Sequence, residues 1–464
     1  MRIIRGWMVF SLGLMACQPI NGADTLVRVD AEPPGANCQY GGAAIHSGAD
    51  TNHDGTLEDS EITSTQYVCN GQSALKCDSM PAFSGSVIVH TQADLAPVVG
   101  MRCIDGDLII AGTDLAAMPE LSMLDTVTGD VVIAGNTALS SLDDLKTIQR
   151  VGLTYLVQGN EVLTNVGALA GLERVTTINI VGNPVLPDLS GLETLTSLNS
   201  GFTVIGNGAM TSLKGFDNLT SATQSIAIRS NANLTDISAL SKLSSIAVLD
   251  LSDNASLTEV TLPALERVSV RLLIDSNAAM TGVHLPALST IADALEISSD
   301  TSLVSVDAPN LLLAGQLLMS NDTSMQTISV PHLQFVSANL ELTNDPAWTT
   351  FDAPALTAVG GALLLVNDPV VASFAGFAHV GSIGGNFWVL DDTSLPNFTG
   401  MTALTIVDGD MLVQGDTALT SFSGLAALGA VDGNLTISSN TLLPLATAQA
   451  FATSIMVRGT VVIN

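Results

Sequence analysis

Charge and aromatic rings are scarce in this chain: 12% of its 464 residues are charged and 4% are aromatic. Basic residues are the rarest, with 14 Lys and Arg against 44 Asp and Glu, a formal net charge of −30. Such a balance repels phosphate backbones and argues against nucleic acid as a partner. Long apolar runs are also missing. Beyond the N-terminus no window approaches the roughly 20 uninterrupted apolar residues that a membrane helix needs. Catalytic signatures are absent too: there is no Gly-x-Ser-x-Gly, no His-Glu-x-x-His and no phosphate loop. Glycan-cleaving β-helix enzymes need clustered carboxylates with a nearby base or cation. Here basic residues are few beyond Cys103, and His284, His332 and His379 fall at different phases of the repeat described below. The chain is therefore expected not to be an enzyme.

What is abundant is small and apolar. Hydrophobic residues make up 47% of the chain, with 40 Gly, and the mean hydropathy is positive. This mixture suits a β-rich extracellular protein. Arg2 and Arg5 precede a short apolar stretch from Trp7 to Ala16, the pattern of an export signal. The stretch ends at Leu14-Met15-Ala16-Cys17, which resembles the lipobox of bacterial lipoproteins. That resemblance implies a signal peptide over residues 1–16 and a lipidated Cys17 as the sole membrane attachment. Gln18 leaves export to the outer membrane or cell surface open, and residues 17–37 read as a flexible linker.

Five cysteines are present, and lipidation of Cys17 leaves Cys38, Cys69, Cys77 and Cys103 for two disulfides in an oxidising compartment. Sequence does not determine the pairing. Cys38 with Cys69 and Cys77 with Cys103 is preferred because each pair brackets one module. The first module, residues 38–71, carries Asp50-Thr51-Asn52-His53-Asp54-Gly55-Thr56-Leu57-Glu58-Asp59-Ser60-Glu61. This run matches the twelve-residue EF-hand loop. Asp50, Asn52 and Asp54 offer side-chain oxygens, Thr56 its carbonyl, Glu58 a direct or water-bridged contact and Glu61 a bidentate carboxylate. Calcium wants six to eight such oxygens, and Gly55 permits the sharp turn around one ion. The flanks are poor helix material, so the expected role of Ca2+ is local stiffening rather than sensing.

The remainder is a repeat. An Asn or Asp recurs at fourteen positions from Asn136 to Asn440, spaced 22 to 24 residues apart. Three and five residues before each lies an apolar side chain, such as Val131 and Ile133, or Leu272 and Ile274. Alternation with period two marks a strand with one buried face. One coil cannot bury that face alone, but coils stacked about 4.8 Å apart form a parallel sheet over a continuous core. The recurring Asx is expected to serve backbone groups at the turn that ends each strand. Coils at Thr113 and Gln92 extend the register backwards and Val461 to Ile463 extends it forwards, giving about 15 coils. Pro263, Pro286, Pro309, Pro331 and Pro354 recur near the coil period, and that row is expected to be an extended return path without ladder bonds.

Cys103-Ile104-Asp105-Gly106-Asp107-Leu108-Ile109-Ile110, Gly129-Asp130-Val131-Val132-Ile133 and Gly433-Asn434-Leu435-Thr436-Ile437 resemble the receptor L-domain family. The resemblance covers residues 77–464. It implies a mainly β, right-handed, leucine-rich-repeat-like parallel β-helix, with Cys77–Cys103 matching the family's N-terminal disulfide cap. A C-terminal cysteine cap is lacking, and a short helix over Pro444 to Ile455 is expected to close that end.

Four residues before each Asx the side chain should point outward, and there Leu364, Trp388 and Leu412 fall in successive coils. An apolar outward face predicts a docking surface for an extracellular protein or glycan. The sequence thus describes a tethered adhesion or recognition protein. The alternative is a purely structural spacer of the envelope, and a polysaccharide-active enzyme is less favoured.

Overall fold

The structure, a computed structural model, describes residues 25–32, 42–49, 51–52, 57–69, 75–78, 80–199 and 201–464. The chain divides into two compact units, Met1–Cys69 and Asn70–Asn464.

The first unit is an antiparallel meander of Thr25–Glu32, Gly42–Ala49 and Ile62–Cys69, with the middle strand paired on both sides. The opening strand corrects the expectation of a flexible linker over residues 17–37. Val27-Arg28-Val29-Asp30-Ala31-Glu32 alternates apolar and polar residues, and its partner strand supplies the ladder that the segment lacks by itself. The middle strand bends at Gly48, where the register shifts. A Cβ there would lie 1.9 Å from the carbonyl oxygen of Glu61, so only glycine lets the backbones approach this closely.

The second unit is the solenoid. Seventeen parallel strands stack in register from Val87–Val89 to Val461–Ile463, two more rungs than expected. The end strands each pair on one side alone, with Leu108–Ala111 and Leu435–Ser438, so the ladder is open at both ends. Inward side chains such as Leu272, Ile274, Leu295 and Ile297 are fully buried, and one apolar core runs continuously from Val87 to Phe451. Each such side chain contributes about 2 kcal/mol by leaving water, a gain available only when a neighbouring coil covers it.

Each strand ends the same way. The residue before the Asx, or before Thr113 in an earlier coil, adopts a left-handed backbone in fifteen coils: Gly112, Gly135, Gly159, Gly182, Gly206 and Gly415, and nine Ser, Asn or Asp from Ser230 to Ser439. Their φ angles lie between 55° and 77°. Small polar residues and glycine tolerate this region best, which explains the column's composition.

The return segments come in two kinds. Some coils close through a 3-10 turn, as at Asp143–Leu145, Gly167–Gly171, Ser238–Lys242 and Ala375–Phe377. The five proline coils instead add a second parallel sheet: Glu259–Thr261, Gly282–His284, Ser305–Asp307, Thr327–Ser329 and Thr350–Asp352. This corrects the expected unladdered path. Ladder bonds continue to the residue before four of these prolines, as in Leu285 N–H to the Asp307 carbonyl. Proline has no N–H to donate, so the ladder stops there and the chain turns.

Both ends are capped. Cys77 and Cys103 form a disulfide across 26 residues, with Cys103 buried in the strand Cys103–Asp105. At the far end Leu445–Ser454 is a helix whose Phe451 extends a row of stacked rings, Phe374, Phe398 and Phe422. Trp348 lies in the core, its indole donating to the Thr350 carbonyl at 3.1 Å.

Candidate functional site

In the N-terminal unit, Glu61 reaches back across the loop it ends. Its Oε1 accepts the Thr51 N–H and hydroxyl, each at 2.7 Å, and the Asn52 N–H at 3.2 Å. Its Oε2 accepts the Glu58 N–H at 3.3 Å. These donors, the Thr51 hydroxyl first among them, hold its carboxyl down at about 2. Asn52 Nδ2 donates to Glu58 Oε2 at 3.2 Å, so three of the six expected ligands, Asn52, Glu58 and Glu61, sit together. The other three, Asp50, Asp54 and Thr56, lie outside the described residues. Among the described residues no group of three His, Cys, Asp or Glu is placed to hold a metal ion. Arg28 fastens the loop's second half by donating to the Leu57 carbonyl at 2.8 Å and to Asp59 at 2.5 Å. Cys17 and Cys38 also lie outside the described residues, as does the Cys69 side chain.

In the solenoid, the fourteen Asx side chains are buried at the strand ends. From Asn136 to Asp416 each N–H donates to Oδ1 of the Asx one coil further on: Asn183 to Asn207 at 3.0 Å, Asn207 to Asn231 at 3.0 Å, Asp345 to Asp368 at 2.9 Å. Thr113 starts the row, its N–H and hydroxyl both donating to Asn136. A second, shorter row went unnoticed in the sequence although its signal is the Gly-Asx pair before a strand. Asp107 accepts from Asp130 N–H, Asp130 from Thr154, Asn386 from Asp410 and Asp410 from Asn434. These Asx residues hold neighbouring coils together.

The outward column of the main sheet divides into zones. Val132 and Leu156 are buried. Midway the column is ionic: Arg229 pairs with Asp250, and Arg271 with Glu296. Towards the C-terminus it becomes apolar. Leu364, Trp388 and Leu412 lie directly beside one another on adjacent rungs, with Val366 and Leu390 alongside. All five side chains are half-buried. Each has a neighbour on both adjoining rungs, with Glu341 beyond Leu364 and Thr436 beyond Leu412, so the patch is continuous but shallower than an exposed column would be. The Trp388 indole N–H is buried and has no acceptor among the described residues, so the ring presents carbon. More exposed is a patch missed at the sequence level, with Leu313 beside Phe335 on adjoining strands and Leu312 next to them.

The histidines do not converge. His284 lies between Glu259 and Asp307, each at 3.1 Å, while His332 and His379 bond the Pro309 and Pro354 carbonyls.

Fold and site together define a mainly β parallel solenoid scaffold, an architecture compatible with a binding or structural role. Residues 24–69 match a family described as a domain of unknown function (DUF7151). No curated protein matches the chain. The matched segment begins one residue before the first strand and ends with the third, so the module spans the whole meander and not residues 38–71 alone. The likeness of the solenoid to receptor L-domains rests on its own residues.

Proposed function

We propose that this is a lipid-tethered, non-enzymatic recognition protein whose solenoid holds out a binding face to an extracellular protein or glycan. The observation that carries the reading is the apolar block of Leu364, Val366, Trp388, Leu390 and Leu412 on three adjacent rungs. A rigid sheet holds these side chains at fixed spacing, so a partner meets little ordering entropy on this side. Trp388 supplies the kind of flat carbon surface on which a sugar ring or an aromatic side chain packs.

Two further parts belong to the proposal. Ca2+ is held by Asp50, Asn52, Asp54, Thr56, Glu58 and Glu61 and stiffens the N-terminal module; the closure of Glu61 onto Thr51 and Asn52 supports this. Cys17 carries the lipid that anchors the exported chain at the outer membrane or cell surface.

The decisive experiment compares the full chain with a Trp388→Ser, Leu412→Ser double variant for binding to glycan arrays and to isolated cell envelopes. Binding lost in the variant, with the circular dichroism spectrum kept, supports the proposal; unchanged binding refutes the patch. Calorimetric titration of the full chain with Ca2+ should release heat that Glu61→Gln abolishes. Incorporation of a fatty-acid probe should vanish in Cys17→Ser.

A further inference from the structure

The buried Asx row changes chemistry along its length. Seven Asn, from Asn136 to Asn277, are followed by six Asp and then by Asn440. An Asn in this row does two jobs. Its Oδ1 accepts the N–H of the preceding coil's Asx, and its Nδ2 donates to a strand carbonyl of that preceding coil. Asn231 donates to Val204 at 3.1 Å, Asn254 to Ile228 at 2.9 Å, Asn277 to Leu251 at 2.9 Å and Asn440 to Val413 at 3.0 Å.

The six Asp keep the first job. Oδ1 of Asp300 accepts from Asn277, that of Asp322 from Asp300, and so on to Asp416, which accepts from Asp392 at 2.9 Å. The second job has no donor if the group is ionised. Oδ2 of Asp300, Asp322, Asp345, Asp368, Asp392 and Asp416 is buried without a hydrogen-bond partner among the described residues, and all six side chains are wholly inaccessible. By the register of the repeat, the carbonyls that Asn would serve here are those of Ile274, Ile297, Met319, Leu342, Leu365 and Val389. Two acceptors facing each other in a dry spine repel, and a buried charge without a counter-ion is costly. A proton on Oδ2 removes both problems by turning the acid into a donor.

We propose that Asp300, Asp322, Asp345, Asp368, Asp392 and Asp416 are held as neutral carboxylic acids, each donating its Oδ2–H to the strand carbonyl of the preceding coil. The charged groups that act on the row are themselves acids: Asp275 on Asp300 and Asp322, Asp391 on Asp392 and Asp416, and row members on one another. Burial pushes Asp300, Asp345 and Asp392 up to about 7, Asp322 and Asp416 to about 8 and Asp368 to about 9. The solenoid is thereby a pH-responsive rod. Its Asp half tightens in mild acid and loosens as alkali strips the spine of protons, while the Asn side chains of the other half have no such proton to lose.

The test is isotope-edited infrared spectroscopy of the full chain carrying 13C-labelled Asp carboxyls. A protonated-carboxyl band is expected at pH 6, and Asp322→Asn and Asp345→Asn should each lower the row's share of it by about one-sixth. Asn stands at eight other coils, so these variants should fold. Asp130, buried with its own unpartnered Oδ2, adds to the band but is untouched by the variants. Amide exchange in the coils from Asp300 to Asp416 should quicken between pH 7 and pH 10 more than in those from Asn136 to Asn277, after correction for intrinsic rates. A band that neither variant lowers, or carboxylate signals alone at pH 6, would overturn the proposal. So would a protonated band that appears only after chelation, which would assign the row to a cation.

Discussion

Asp345→Asn gives the sharpest thermodynamic reading of the spine. An aspartate ordinarily titrates near 3.9, and burial, the largest influence on Asp345, lifts it to about 7. Between those pH values the folded chain keeps a proton that the unfolded chain has released. Stability is then fully present below the unfolded value and falls as pH rises towards the folded one. The slope is about 1.4 kcal/mol per pH unit for each such group. For Asp345 alone this amounts to roughly 4 kcal/mol between pH 4 and pH 7 as an upper bound. Asn keeps the Oδ1 that accepts the Asp322 N–H at 2.8 Å and adds a donor that needs no proton. Parent and variant should therefore lie within about 1 kcal/mol of each other at pH 5. At pH 8 the variant should be more stable by roughly 3 kcal/mol. Urea unfolding at the two pH values and constant ionic strength measures this. Glu61, held down at about 2, works in the opposite sense: its contribution is present above the ordinary glutamate range and is lost as pH falls towards 2. The window from pH 5 to pH 8 is clear of it. A parent whose stability is flat or rises across this window, or a variant with the parent's slope, would refute the reasoning.

The Asn half supplies a second prediction. Asn207→Ala strands the Asn183 N–H and the Ile180 carbonyl, bonded to it at 3.0 and 3.1 Å, and should cost about 2–5 kcal/mol in urea unfolding. A loss below about 1 kcal/mol would mean that the ladder contributes little. Ser276, at φ 59°, should tolerate glycine and resist valine, with Ser276→Val lowering stability by about 1–2 kcal/mol; equal midpoints for the two variants would count against a strained turn. Cys103→Ser opens a bridge spanning 26 residues and should cost about 3 kcal/mol, with faster amide exchange confined to the first coils. Uniformly faster exchange would contradict a local cap.

Much of the solenoid was legible because its information is one-dimensional. A strict alternation of apolar residues, an Asx every 22 to 24 positions and apolar residues at constant offsets specify strand, face and register without knowledge of neighbours. Leu272 and Ile274 could only be inward, and Trp348 could only be core. The first strand was less legible. Thr25–Glu32 has an alternating pattern but sits in a short segment before a Pro-rich stretch, and its pairing with Gly42–Ala49 is what makes it a strand. The left-handed column was hidden by its variety, since Gly, Ser, Asn and Asp share a tolerance for positive φ and little else.

By itself, then, the sequence determined the parallel solenoid, the phase of its inward positions, the place of the buried Asx row and the pairing candidates Cys77 and Cys103. Tertiary structure alone decided that the proline coils carry a second sheet and that the Leu364–Trp388–Leu412 column is half-shielded. It also decided that six aspartates bury an Oδ2 without a partner at the place where asparagines donate. The physical reason is common to all three. Each depends on what lies one coil away, 22 to 24 residues distant in sequence and one strand spacing distant in space, where burial removes the water that would otherwise satisfy any side chain.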